Sequence, residues 1–151
     1  MAVSFTDSIK NAFVKAFDFK TRSSRAEFWY FYFFTFIVGT IGNLIDKSLS
    51  LELTIFEFPQ SPDNEFILGH FYIFTYFLFF VPSLSLYVRR LHDTNRSGFW
   101  LLLVLLPSVG AIFGLNMSGV IYLIIFTFIT LIFFFCQKGD DKQNKFGNPI
   151  V

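Results

Sequence analysis

The sequence predicts an all-α membrane protein in which four transmembrane helices follow an N-terminal amphipathic helix. Apolar residues make up 54% of the 151 residues and charged residues only 15%, whereas soluble domains are about 25% charged. A soluble domain of this size could not bury so much apolar surface. The apolar residues are also gathered into long stretches with almost no charge. We therefore expect one polytopic membrane domain over residues 1–151.

Three apolar stretches predict the transmembrane helices. Residues 28–45 and 66–88 each have the length of one span, because a helix rises ~1.5 Å per residue and the hydrocarbon core is ~30 Å thick. Residues 97–137 are too long for one span and long enough for two. A turn-like segment at residues 114–119 divides them into predicted helices over residues 99–115 and 120–136. Pro107 and Gly110 leave a re-entrant hairpin open as the alternative.

Residues 1–23 form a separate amphipathic segment ahead of the first span. Its apolar residues recur every four positions and so share one helix face: Phe5, Ile9, Phe13 and Phe17. The other face is polar, and the lysines suit an anionic leaflet, so we expect an interfacial helix. The alternative is a helix packed on the cytoplasmic loops. Ser24 and Glu27 then fit the capping box that would begin the first span.

The distribution of positive charge orients the helices, because short loops rich in Lys and Arg stay in the cytoplasm. Eleven of the 12 Lys and Arg residues lie in residues 1–27, in loop 89–98 or in tail 137–151. Loop 46–65 has only Lys47. Four spans place the three basic segments and both termini in the cytoplasm and loop 46–65 outside. Alternating apolar and polar residues at positions 49–55 predict a short extended segment in that outer loop.

The basic segments also supply the candidate site, because five of their arginines flank span ends at one predicted depth. The residues proposed to bind an anion, a lipid headgroup or a partner protein are Arg22, Arg25, Arg89, Arg90, His92, Asp93 and Arg96. Five guanidinium groups repel one another, so we hypothesise that an external anion, a lipid phosphate, completes the cluster. The alternative is that the arginines only hold the helix ends at the interface and that residues 93–97 form a turn.

No pattern in the sequence indicates a catalytic, metal or cofactor site. His92 and Asp93 offer two ligands where catalytic zinc takes three from the protein, and His70 lies about 33 Å away along the helix. There is no basic stripe with interleaved aromatics for nucleic acid. We expect no enzyme activity, no cofactor and no nucleic-acid partner. The leading hypothesis is a binding or accessory role. Its partner would be anionic lipid, another protein or a second copy of this chain. The alternative is a small oligomeric channel or exporter packed around Gly110 and Gly114.

Three segments resemble a known family. Residues 19–29 resemble F-x-G-R…R-x-E-[FY]-W, residues 88–100 resemble V-R-R-L-H-D-[TS]-G-R-S-G-W-W, and residues 144–147 resemble N-[RK]-[FY]-G. Together they resemble the YhaH-like bacterial inner-membrane proteins, known as domain of unknown function 805. The resemblance implies a bacterial inner membrane, and hence a periplasmic loop 46–65, but no activity and no catalytic residues. The sequence departs from the pattern at Thr21 and Asn95, where the family favours glycine, and at Phe99, where it has tryptophan.

Overall fold

A computed structural model describes residues 3–50, 52–57 and 65–150. These residues form five α-helices, one 3₁₀ helix and a two-stranded hairpin. In chain order these are α1 (Phe5–Val14), α2 (Arg25–Leu49), β1 (Glu52–Glu57), β2 (Glu65–Gly69), α3 (His70–Asp93), the 3₁₀ helix (Gly98–Leu105), α4 (Leu106–Ile112) and α5 (Met117–Cys136). The antiparallel hairpin is an addition to the predicted all-α architecture.

Helices α2, α3 and α5 are long and apolar enough to cross a membrane. They contain most of the predicted spans 28–45, 66–88 and 120–136, with two differences at their ends. Residues 66–69 belong to strand β2 rather than to α3, because a short apolar run fits a paired strand as well as a helix. Helix α3 continues through Asp93, so half of the predicted loop 89–98 is its last turn.

The predicted helix over residues 99–115 is instead a composite of the 3₁₀ helix and the short α4. Pro107 lies in the first turn of α4. Proline has no amide hydrogen and its ring clashes with the carbonyl four residues earlier. One α-helix therefore cannot run undisturbed through residues 103–107, whereas a new helix can begin there.

The predicted turn between the last two helices is present. Gly114 has a φ of +82°, a backbone conformation that costs glycine least. The Asn116 side chain accepts a hydrogen bond from the Gly119 amide at 2.9 Å and so caps α5. The chain thus reverses direction between α4 and α5.

After this turn, α5 runs back along both the 3₁₀ helix and α4. The Thr127 hydroxyl donates to the Leu103 carbonyl at 3.2 Å, and the rings of Trp100 and Phe134 meet edge to face at 5.1 Å. At the other end of α4, a side chain at Gly110 would meet Leu123 within 2.7 Å. Residues near both ends of α5 therefore pair in antiparallel order with residues near both ends of the composite segment.

Helix α1 packs on α2 and α3. Ser8 and Ala12 are buried, and Phe13 stands against the rings of Phe31 and Phe79 at 6.0 and 5.8 Å. This matches neither predicted arrangement fully, because α1 contacts the long helices rather than the loops. Phe17, predicted on the same apolar face, follows the end of α1 and is 83% exposed. That the amphipathic segment lies in a leaflet stays a prediction.

The extended segment predicted at positions 49–55 is present over residues 52–57. Leu49 instead ends α2, and Ser50 caps that helix with a φ of 52°. Residue 51 and residues 58–64 of the predicted outer loop lie outside the described residues. Glu52 pairs with Gly69 and Glu57 with Glu65, and the register is irregular between Thr54 and Phe56.

A buried carboxylate joins α2 to the start of α3. Asp46, 1% exposed, accepts hydrogen bonds from the amides of Phe71 and Tyr72 at 3.0 Å each. Gly69, the residue before α3, has no side chain to cap those amides. A Cβ at position 69 would lie 1.9 Å from the Asp46 carboxylate. Glycine is therefore required there, so that Asp46 can cap the neighbouring helix.

Candidate functional site

Three distant chain segments meet where α2 begins and where α3 and α5 end, a region we call the arginine end. The amide of Ser23 donates to the Arg89 carbonyl at 3.1 Å, and the amide of Asp140 donates to the Asp93 carbonyl at 2.8 Å. The segment before α2, the last turn of α3 and the tail after α5 are therefore in direct contact. The sequence predicted that the first two would meet, and the structure adds contacts from the tail.

The Asp93 carboxylate holds two of the predicted arginines. One oxygen accepts from Arg22 at 2.8 Å and 3.0 Å, from Nη2 and Nε, and the other accepts from Arg90 Nη1 at 2.5 Å. All three residues are buried. Asp93 therefore pairs with two buried guanidinium groups and balances one of their two positive charges.

Backbone carbonyl groups take most of the remaining donors of these two arginines. Arg22 donates to the carbonyls of Lys142 at 3.1 Å and Gly147 at 3.3 Å, and also to those of Asp93 and Asp140. Arg90 donates to the carbonyls of Phe135 at 3.1 Å and of Gln137. Carbonyl oxygens thus take donors of Arg22 and Arg90 that an external anion was expected to take, and the anion itself stays a hypothesis.

Arg89 forms a second buried pair, with Glu27. Its Nη1 donates to Glu27 Oε1 at 3.0 Å, and Arg89 is fully buried. The capping box is thus half present: the Ser24 hydroxyl accepts from the Glu27 amide at 3.1 Å, but the Glu27 carboxylate turns to Arg89. Among the described residues, Nε and Nη2 of Arg89 and the hydroxyl of Ser23 have no hydrogen-bond partner.

His92 is held by the segment before α2 and by the tail after α5 rather than by Asp93. Its Nδ1 lies 3.3 Å from the Thr21 carbonyl, and its ring stacks on Phe146 at 3.7 Å with an interplanar angle of 3°. The Asn144 amide group donates to the His92 carbonyl at 2.9 Å. In the part of the chain that the structure describes, no three His, Cys, Asp or Glu side chains gather as metal ligands would. The surroundings of His92 are those of a packed aromatic side chain.

Arg25 and Arg96 differ from the other arginines of the cluster, because neither has a carboxylate partner among the described residues. Arg25 is exposed at the first position of α2. Arg96 is half-buried, with its guanidinium 4.2 Å from the centre of the Phe134 ring and one bond of 3.4 Å to the Thr94 carbonyl. Burial of Arg22, Arg89 and Arg90 thus narrows the predicted anion contact to these two side chains.

Asp18, which the sequence analysis gave no role, holds the turn between α1 and Arg22. Its carboxylate accepts from the Thr21 hydroxyl at 2.5 Å and from the amides of Lys20 and Thr21 at 2.9 and 3.1 Å. Burial raises the pKa of the Asp18 carboxyl, but these hydrogen bonds and the Arg89 charge outweigh it, so the pKa lies below its ordinary value. The Ser85 hydroxyl donates to the carbonyls of Lys15 and Asp18. A sequence signal existed, since Asp followed three residues later by Thr suits a turn closed by side chains.

The tail contributes residues to which the sequence pattern gave no role. Asn144 and Gly147 pair through their backbones, and Gly147 has a φ of +121°. Gly139 approaches Asp93 so closely that a Cβ there would lie 1.9 Å from its carboxylate. Residues 144–147 were noticed only as a family-like motif. Their physical role is to present the Gly147 carbonyl to Arg22, and the Asn144 side-chain amide and the Phe146 ring to His92.

Comparison with known proteins gives a family but no activity. A family model described as "Protein of unknown function (DUF805)" matches residues 16–148. The chain is 35% identical over 130 residues to the protein named "Inner membrane protein YhaI" of Escherichia coli K12, covering 86% of this chain and 83% of that one. It is 33% identical over 129 residues to "Inner membrane protein YhaH" of the same strain, covering 85% and 84%. No solved structure matches the chain.

Proposed function

The chain belongs to the DUF805 family of inner-membrane proteins, and from that premise we propose a binding or accessory role in which its arginine end holds anionic phospholipid. The observation that carries the proposal is the contrast between three buried arginines, which pair with Asp93 or Glu27, and two arginines without a carboxylate partner among the described residues, Arg25 and Arg96. We propose no enzymatic chemistry of its own.

The proposed topology is multi-pass with four crossings. Arg22 before α2, Arg90 at the end of α3 and the tail after α5 are in contact, so they lie on one side, which requires an even number of crossings. The composite segment supplies the crossing between α3 and α5. Because a 3₁₀ helix rises ~2.0 Å per residue against ~1.5 Å in an α-helix, residues 98–112 reach about 26 Å. That is close to the ~30 Å of a hydrocarbon core.

The proposed orientation places both termini and the arginine end in the cytoplasm. The basic residues gather at the arginine end, and short basic segments remain cytoplasmic. The inner leaflet is also where anionic headgroups attract basic residues, by ~1 kcal/mol for each residue near the surface. Arg25 and Arg96 would then lie at headgroup depth with free donors directed at lipid phosphate.

The alternative of an oligomeric channel gains no support from its two glycines. Gly110 packs against Leu115 and Leu123 of its own chain, and Gly114 forms the turn before α5. Gly110 is buried inside the chain and Gly114 lies in an exposed turn, so the two glycines do not form one packing surface on a helix. We therefore argue only the lipid-binding proposal further.

Native mass spectrometry of the purified protein tests this proposal. Replacing Arg25 and Arg96 with Gln should lower retention of phosphatidylglycerol or cardiolipin, by about fivefold for each ~1 kcal/mol lost. Arg25→Lys should retain most of the lipid, since it keeps the charge. Lys20→Gln is the matched control, because Lys20 is exposed but lies outside the cluster.

Equal retention by wild type and by Arg25→Gln/Arg96→Gln would overturn the proposal. Loss of a copurifying protein in that variant, with lipid retention unchanged, would also overturn it and indicate a protein partner instead.

A further inference from the structure

An apolar groove opens on the surface of the helices. It lies between α2 and α5, is bounded also by α3, the 3₁₀ helix and α4, and has a volume of 410 Å³. That volume falls within the ~300–1,000 Å³ of typical small-molecule sites. Its lining includes Phe28, Trp29 and Tyr32 of α2 and Ile124, Leu131 and Phe135 of α5.

Arg25 stands on the helix face that lines this groove. Residues three, four and seven positions apart share one face of a helix, and Phe28, Trp29 and Tyr32 follow Arg25 at those spacings. Helical side chains tilt toward the N-terminus, so Arg25 extends beyond the groove toward the arginine end. The mouth of the groove therefore has a positive charge with no ion pair among the described residues.

The depth of the groove matches one leaflet of a bilayer. Along α5 its wall runs from Phe135 near the arginine end to Ile124. At ~1.5 Å per residue that distance is about 16 Å, and half of a ~30 Å hydrocarbon core is about 15 Å. A ligand that fills it needs a linear apolar body of one leaflet's length and an anionic group at one end.

We propose that the groove seats one acyl chain of an anionic phospholipid whose phosphate binds Arg25. The proposal rests on the proposed function and names the place of binding. The phosphate takes the Arg25 guanidinium through charge-assisted hydrogen bonds. The acyl chain covers the rings of Trp29 and Tyr32, which bulk lipid would otherwise cover with no preference for headgroup.

Trp29 can report an acyl chain in the groove, because the protein has only two tryptophans. In a Trp100→Phe background, Trp29 is the remaining fluorophore that responds to quenching by brominated acyl chains. Vesicles of phosphatidylcholine and phosphatidylglycerol are prepared with bromine on one lipid or on the other, at equal mole fractions of the brominated lipid. We expect brominated phosphatidylglycerol to quench Trp29 more strongly, and Arg25→Gln to abolish that preference.

Two adjacent isoleucines provide a matched pair for the groove itself. Ile124 lines the groove and is 50% exposed, whereas Ile125 is 48% exposed and does not line it. Ile124→Phe should place a ring in the groove and remove the preference for phosphatidylglycerol, while Ile125→Phe should keep it. Trp100→Tyr replaces Trp100→Phe if the latter lowers the thermal unfolding midpoint.

Equal quenching by the two brominated lipids in the Trp100→Phe protein would overturn the groove proposal. If Arg25 still governs lipid retention in native mass spectrometry, the headgroup contact stands and only the acyl-chain site is wrong. If retention is also independent of Arg25, both proposals fail.

Discussion

At the scale of single residues, one carboxylate, that of Asp93, pairs with two buried guanidinium groups. Removing one partner of a buried ion pair costs ~3–5 kcal/mol, because the charge left behind has lost its counter-ion without regaining water. Asp93→Asn keeps the shape of the side chain but leaves Arg22 and Arg90 with carbonyl partners only. We expect the free energy of unfolding to fall by ~3–5 kcal/mol, measured by denaturant unfolding in detergent micelles.

The control for Asp93 is Asp141, whose ion pair with Lys138 is exposed. Exposed pairs contribute ~0–1 kcal/mol, so Asp141→Asn should leave the unfolding transition almost unchanged. A similar loss in both variants would show that the effect comes from removing any carboxylate at the arginine end. No loss in Asp93→Asn would mean that carbonyl groups alone stabilise Arg22 and Arg90.

At the scale of elements, the start of α3 depends on a carboxylate from α2. Asp46→Ala would free the amides of Phe71 and Tyr72, and the loss of a helix cap costs ~0.5–2 kcal/mol. Gly69→Ala should have a similar effect, because its Cβ would displace Asp46. We expect faster hydrogen exchange at residues 71–73 in both variants and no change in exposed Lys47→Ala. Unchanged exchange in Asp46→Ala would contradict the capping role.

The elements also show what the sequence could and could not predict. Length and hydropathy located α2, α3 and α5, because lipid requires long apolar helices whatever their neighbours are. One helix over residues 99–115 was predicted in place of the 3₁₀ helix and α4, although Pro107 was recognised as a possible break. Likewise, the arginines could be placed at one depth from their spacing, and Asp93 was among the predicted residues. Their other partners include backbone carbonyls, most of them in the tail, and a carbonyl is present at every residue, so no sequence pattern marks the ones that bind.

At the scale of the whole molecule, the proposed four crossings can be tested with single cysteines in a Cys136→Ala background. Gln143→Cys, in the exposed tail, should resist an impermeant thiol reagent in intact spheroplasts and react after permeabilisation. Met117→Cys, 74% exposed at the start of α5, should react in intact spheroplasts. Labelling of position 143 from outside would overturn the even number of crossings. An unreactive position 117 would instead favour a re-entrant hairpin over residues 98–136.

The contacts between Arg22 and the tail also set an order of events during synthesis. Arg22 leaves the ribosome early, whereas the carbonyls of Asp140, Lys142 and Gly147 that receive its hydrogen bonds are made more than a hundred residues later. Until then Arg22 can pair with Asp93 but lacks the carbonyl partners that the tail supplies. A nascent chain that stopped after α5 would have its helices but not the hydrogen bonds between Arg22 and the tail. Its arginines would be more exposed than those of a finished chain, and this exposure would distinguish the two.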